Sequence, residues 1–210
     1  ADNHNSVNGI RQFCLSKGGK ITYAPIYYQD LRMDENFVME KLQESENFEN
    51  KLFAFPAQSN VSGVKHDLGW IKKAQDLGWD VLLDAAAFVP TNQLDLKEVK
   101  PDFVCVSFYK IFGYPTGIGC LLVNKEKFKK LQKPWFAGGT VSLVSVNAIH
   151  HFLINNHERF EDGTLNYLDI PAVKIGLDYI ENIGIQRINE RVASLRKYLF
   201  ENLESLQHNN

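Results

Sequence analysis

The stretch LLDAAAFVPT (residues 82–91), followed by PDFVCVSFYKIFGYPTGIGCLLV (residues 101–123), decides the fold of this chain. Its first two apolar runs each end in a polar residue, Asp84 and Ser107, and a third run follows at 119–123. Continuous apolar strands separated by helical segments are typical of a parallel sheet that is covered on both faces. We therefore predict an α/β fold, a mostly parallel sheet flanked by helices, with ligands bound at the carboxyl ends of the strands.

The remaining sequence alternates between helical and strand-like patterns. Helical spacing of apolar residues predicts helices at 7–16, 34–50, 68–77, 142–157 and 172–206, the last interrupted near Gly184. Strand-like runs occur at 20–26 and 52–56.

The composition is that of an ordinary globular protein, with 210 residues, 44% of them hydrophobic and 23% charged. A formal net charge of -2 provides no basic field for nucleic acid or an anionic membrane, so we expect neither as a partner. No apolar run reaches the roughly 20 residues of a membrane helix, and no signal-peptide pattern is present, so the expected location is cytoplasmic. The three cysteines, Cys14, Cys105 and Cys120, are too scattered for a disulfide framework or a metal site, and the last two are expected to be buried.

Two residues of the opening stretch suggest chemistry when they are taken together. Asp84 closes an apolar strand, where a carboxylate needs a cationic or hydrogen-bonding partner. Lys110 precedes the turn GYPTG, where its amine is placed to form a Schiff base with an aldehyde cofactor. Singly, each has an ordinary alternative: Asp84 as a helix N-cap and Lys110 as an exposed loop cation.

The order of a strand-terminal Asp, Ser-x-x-Lys and a Gly-Pro-rich turn resembles the core of class V pyridoxal-phosphate enzymes related to cysteine desulfurases. Within that superfamily, FPAQSNVSG, SFYKIFGYPTG, WFAGGTVS and RFEDGTLNYLDIPA are similar to the N-terminal domain of molybdenum cofactor sulfurases. The resemblance implies the large domain of the fold type I transferases, incomplete at both ends. Residues 1–170 would form its core, and 171–210 would be a helical segment leading toward a small C-terminal domain.

The resemblance also implies roles for individual residues toward pyridoxal 5'-phosphate. Lys110 would hold the cofactor covalently, Asp84 would pair with the pyridine nitrogen, and His4 would stack over the ring. Asn60 would bond the phenolic oxygen, Ser107 and Tyr109 would hold the phosphate, and Thr140 would reach the phosphate of a neighbouring subunit in a homodimer. The ordinary alternatives are a polar terminal residue for His4, a turn former for Asn60 and a cap for Thr140.

The function implied is a sulfurtransferase that takes sulfur from L-cysteine and passes it to the molybdenum cofactor. Ala86 and Ala87 stand where many cysteine desulfurases have glutamine, and Tyr109 replaces a histidine; both differences favour the sulfurase branch. The phosphate-binding turn and the persulfide-carrying cysteine are expected outside this sequence, so we expect the chain alone to be inactive. Two alternatives stay open: a cysteine desulfurase or other class V lyase, and a truncated scaffold without catalysis.

Overall fold

The structure is a computed structural model that describes residues 2–44, 48–114 and 116–206. Its centre is a four-stranded sheet in the order β1-β2-β3-β4. The strands are β1 (Leu52–Pro56), β2 (Asp80–Asp84), β3 (Phe103–Ser107) and β4 (Gly119–Val123). The first three are parallel and β4 runs antiparallel to β3, which confirms the prediction of a mostly parallel sheet.

Helices cover both faces of this sheet. The first four are α1 (Asn5–Asn8), α2 (Ile10–Ser16), α3 (Glu35–Gln43) and α4 (Gly69–Asp76). Successive residues of β2 point to opposite faces, so Val81 and Leu83 join a core with Trp70 of α4, whereas Leu82 packs with Val7 of α1 and with Phe103. Every residue of β2 is buried, as expected for a central strand of such a sheet.

The helix predicted over 142–157 is wrong, because this segment forms a β-hairpin. Its strands are β5 (Val141–Val144) and β6 (His151–Leu153), which pair antiparallel. The backbone N–H of Ser145 donates to the carbonyl of His150 at 3.0 Å and closes the turn.

Two further expectations differ from the structure near the amino terminus. The strand predicted over 20–26 makes no ladder within the described residues, where Ile26 forms only an isolated bridge with Met33. The helix predicted over 34–50 is α3 alone; Asp34 caps it by accepting from the N–H of Phe37 at 3.0 Å, and 45–47 lie outside the described residues.

The carboxyl-terminal part is helical, as predicted. It consists of two long helices, α6 (Pro171–Ile183) and α7 (Ile185–Glu204), whereas a short helix, α5 (Tyr109–Phe112), follows β3 in the middle of the chain. Gly184 separates the long helices with a φ of 89°, a conformation that favours glycine. Short 3₁₀ turns occur at Phe128–Lys130 and His157–Phe160.

Candidate active site

A cavity of about 280 Å³ lies where β2 and β3 end. Because these strands are parallel and in register, with Asp84 beside Cys105, their carboxyl ends open on the same side of the sheet. Six of the seven predicted site residues line this one cavity: His4, Asn60, Asp84, Ser107, Tyr109 and Lys110.

Asp84 is a buried carboxylate in the cavity wall. The residue is 9% exposed, and its Oδ1 accepts a hydrogen bond from the backbone N–H of Ala86 at 3.1 Å. The capping interaction therefore exists, although the chain continues here in turns rather than in a helix. A carboxylate kept from water in this way favours a cationic or N–H ligand group.

Lys110 lies in α5, a single helical turn directly after β3, and it is half-buried. The helix ends at Phe112 and is followed by Gly113, whose φ of 88° is a conformation that favours glycine. Lys110 and Asp84 line the same cavity, so the sheet does not separate the amine from the carboxylate.

The other four predicted residues in the cavity wall come from three parts of the chain. His4 caps α1, and its Nδ1 accepts from the N–H of Ser6 at 3.2 Å. Asn60 is an exposed turn residue after β1, Ser107 is the last residue of β3, and Tyr109 is 40% exposed. Hydroxyl groups at Ser107 and Tyr109 are suitable donors for an anionic group.

Thr140 does not reach this cavity. It is fully buried at the start of the hairpin, where its hydroxyl donates to the carbonyl of Ala137 at 2.8 Å and accepts from the N–H of Ala137 at 2.9 Å. Its suggested contact with a neighbouring subunit stays a prediction.

Gln58 and Cys105 are among the cavity residues that were not predicted from the sequence. Gln58 lines the cavity, and its Oε1 accepts a hydrogen bond from the buried Asn92 at 3.2 Å. The sequence feature that could have identified Gln58 is its position in the run FPAQSNVSG, two residues before Asn60. Cys105 also lines the cavity. Both Cys105 and Cys120 are half-buried, so the expectation that they are buried is wrong.

The thiol of Cys105 is not suited to nucleophilic attack at neutral pH. Burial, and then the negative charge of Asp84, raise its pKa to about 11. Burial also raises the pKa of Cys120. The thiolate is the reactive form of cysteine, so neither residue fits the role of a persulfide carrier.

Among the residues that the structure describes, no group of His, Cys, Asp and Glu side chains is arranged to hold a metal ion. Within the same ranges, none of the helices has the length and apolar character to cross a bilayer.

The chain matches the aminotransferase class-V family over residues 1–210. It belongs to this family. Molybdenum cofactor sulfurases from Homo sapiens and Caenorhabditis elegans are 38% and 39% identical to it over its whole length. The chain covers 24% and 28% of those two proteins, so it spans about a quarter of the length of such relatives.

Solved structures agree with this assignment. The apo cysteine desulfurase of Thermococcus onnurineus has a TM-score of 0.82 and 29% identity, over 95% of this chain and 48% of that one. A cysteine desulfurase of Escherichia coli has a TM-score of 0.80 at 22% identity, over 93% of this chain and 47% of that one, and supports the fold alone. The fold is therefore that of the type I pyridoxal-phosphate enzymes.

The residues of the cavity fit pyridoxal phosphate, the cofactor of this enzyme class. The aldehyde needs an amine, the pyridine N–H needs a carboxylate and the phosphate needs hydrogen-bond donors. Lys110, Asp84 and the hydroxyls of Ser107 and Tyr109 provide these groups around one cavity. The cavity volume of about 280 Å³ lies just below the range of small-ligand sites, which begins at about 300 Å³.

Proposed function

We propose that this chain forms the cofactor-binding part of a pyridoxal-phosphate-dependent sulfurtransferase that takes sulfur from L-cysteine for the molybdenum cofactor. The observation that carries the proposal is the shared cavity of Lys110 and Asp84 at the carboxyl ends of two parallel strands. Identities of 36–39% with molybdenum cofactor sulfurases over the whole chain support the choice of acceptor.

Lys110 and Asp84 have distinct parts in this function. The amine of Lys110 would hold the cofactor aldehyde and, when free, would accept the proton from the α-carbon of L-cysteine. Asp84 would pair with the pyridine nitrogen, because a buried carboxylate stabilises a positive charge beside it. Bound pyridoxal phosphate supplies an electron sink for the negative charge that develops at the α-carbon.

The remaining residues position the cofactor and limit its motion. His4 would pack over the ring, Asn60 would donate to the phenolic oxygen, and the hydroxyls of Ser107 and Tyr109 would hold the phosphate. Thr140 would act only across a homodimer. Both the dimer and a cytoplasmic location are part of the proposal.

The role of Lys110 can be tested by titrating the chain with pyridoxal phosphate. We expect a visible absorbance band from the lysine-bound cofactor in the wild type and its loss in Lys110→Ala, because no other amine is held in the cavity wall among the described residues. Lys125→Ala, a change at an exposed lysine outside the cavity, is the matched control and should keep the band. A band that survives in Lys110→Ala contradicts the assignment.

A second function, cysteine desulfurase with another sulfur acceptor, is favoured by the TM-score of 0.82 with the Thermococcus onnurineus enzyme. Alanine release from L-cysteine and sulfuration of the molybdenum cofactor can be measured separately on a version carrying the flanking sequence. Alanine release without transfer to the molybdenum cofactor favours the desulfurase. Loss of both, with the visible band absent from the wild type, favours the inactive scaffold.

A further inference from the structure

The carboxylate of Asp2 is buried although it lies close to the start of the chain. Its Oδ1 accepts a hydrogen bond from the hydroxyl of Ser59 at 2.7 Å, and its Oδ2 lies 2.9 Å from Nε2 of His66. The side chains of Asp2 and His66 are 7% and 2% exposed. A buried carboxylate is costly unless its oxygens are paired, so this three-residue cluster joins the amino-terminal segment firmly to the chain around 59–66.

The same hydroxyl shapes the turn that carries Asn60. The Oγ atom of Ser59 accepts from the backbone N–H groups of Val61 at 3.2 Å and Ser62 at 3.1 Å. Asn60 lies between these contacts, so its backbone is fixed by the group that also donates to Asp2. His4 lies two residues after Asp2 in the sequence and caps α1.

The amino-terminal segment has other attachments that do not depend on Asp2. The side-chain amide of Asn3 donates to the carbonyl of Ala54 in β1 at 2.9 Å, and Asn8 donates to the carbonyl of Asn3 at 3.0 Å. Val7 is buried against Leu82 and Phe103. Loss of the Asp2 carboxylate should therefore leave the segment attached to the sheet. The distance between this segment and the turn that carries Asn60 should then no longer be fixed.

We propose that Asp2 is a positioning residue: through Ser59 and His66 it fixes the segment that carries His4 against the turn that carries Asn60. The spacing between these two parts of the cavity wall is thereby set before a ligand enters, which reduces the ordering that binding requires. The inference rests on the proposed function, since the group to be positioned is pyridoxal phosphate.

The test compares Asp2→Ala with Asp102→Asn, a change at a buried aspartate remote from the cavity. Asp102 precedes β3 at the opposite end of the sheet, and its Oδ2 accepts from the N–H of Val81 at 2.8 Å. Both changes remove a buried carboxylate, but only the first removes a contact with Ser59, which holds the turn that carries Asn60. We expect the Kd for pyridoxal phosphate to rise about tenfold in Asp2→Ala and to stay within about twofold of wild type in Asp102→Asn. The visible circular dichroism of the bound cofactor should change only in Asp2→Ala.

A second readout needs no cofactor. Hydrogen exchange at the amides of Val61 and Ser62 should become faster in Asp2→Ala and remain unchanged in Asp102→Asn, because only the first releases the hydroxyl of Ser59 from the carboxylate. If Asp2→Ala does not fold, the Kd of Ser59→Ala is measured in its place, because this variant keeps the contact between Asp2 and His66. The same rise in Kd in Ser59→Ala supports the proposal, and a wild-type Kd refutes it.

The outcomes separate this inference from the function on which it rests. A wild-type chain that binds no pyridoxal phosphate overturns the proposed function and the inference together. A wild type that binds it, with Asp2→Ala unchanged in Kd, circular dichroism and amide exchange, overturns the inference alone.

Discussion

At the scale of single residues, the cavity wall places a thiol beside a carboxylate. Cys105 is the neighbour of Asp84 across the two parallel strands, and both line the cavity. Burial and the negative charge of Asp84 both raise the pKa of the thiol and keep it protonated at neutral pH. Cys105 is thus a small polarisable wall residue rather than a reactive one.

This assignment predicts slow alkylation of Cys105 at pH 8. With a pKa of about 11, only about one thousandth of the thiol is ionised at that pH, and the rate should rise steadily as the pH approaches 11. Mass spectrometry of iodoacetamide-treated protein over a pH series measures the rate, and Cys105→Ala identifies its peptide. A rate that levels off near pH 8 contradicts the prediction.

The site residues could be predicted from sequence where a motif marks the end of a strand. Asp84, Ser107 and Lys110 follow apolar runs, so their meeting at one sheet edge follows from parallel pairing alone. Gln58 was missed because its role depends on a partner, Asn92, which lies far away in the sequence and is brought near only by the fold.

At the scale of elements, α6 supports the short helix that carries Lys110. A Cβ atom at Gly176 of α6 would lie 2.4 Å from the ring of Phe112, the last residue of α5. The absence of a side chain at Gly176 therefore allows the two helices to approach each other. The position of α5 after β3 depends on this contact.

Gly176→Ala should displace Phe112 and destabilise the fold by about 1–2 kcal/mol, because overpacking outweighs the gain in helix propensity. Thermal unfolding measures the loss. Gly138→Ala is the matched control, since a Cβ atom there meets nothing within 4 Å. A melting temperature of Gly176→Ala equal to that of wild type would show that the ring moves aside without cost.

The elements that were predicted correctly from the sequence are those whose residue pattern is compatible with only one environment in the fold. A continuous apolar strand such as β2 can only be buried on both faces. The segment at 142–157 is different, because Leu143, Val146, Ile149 and Phe152 recur at every third position and imitate a helix. Pairing between β5 and β6 overrides this local pattern, and such pairing is not visible in the spacing of residues.

At the scale of the whole molecule, ion pairs stabilise the end of the sheet opposite the cavity. Asp80 begins β2 and accepts hydrogen bonds from Lys127 at 2.5 Å and Lys130 at 2.6 Å. Burial acts to raise the pKa of the Asp80 carboxyl, but the two lysines outweigh it, so the pKa lies below its ordinary value. These contacts join the central strand to the segment after β4.

A lowered pKa in the folded state means stability that is present at neutral pH and lost as the pH falls. Asp80→Asn should reduce the free energy of unfolding by about 1.5–3 kcal/mol at pH 7, and the difference from wild type should shrink below about pH 4. Urea unfolding at pH 7 and pH 3 measures both values.

The control for this change is Asp178→Asn, which breaks an exposed ion pair with Lys174 on α6. It should alter stability by less than about 1 kcal/mol at either pH. A difference between wild type and Asp80→Asn that is the same at pH 7 and pH 3 would contradict the role of the charge.

The cavity is assembled from segments that are distant along the chain, since His4, Asn60 and Lys110 meet only when the strands are paired in register. An unfolded chain has no such cavity, so any small molecule that occupies it binds the native state selectively. Ligand concentration and conformational stability are then thermodynamically linked, with about 2.7 kcal/mol gained at a hundred times the Kd. A protein with an occupied cavity would therefore be cleaved more slowly by proteases that attack the unfolded state.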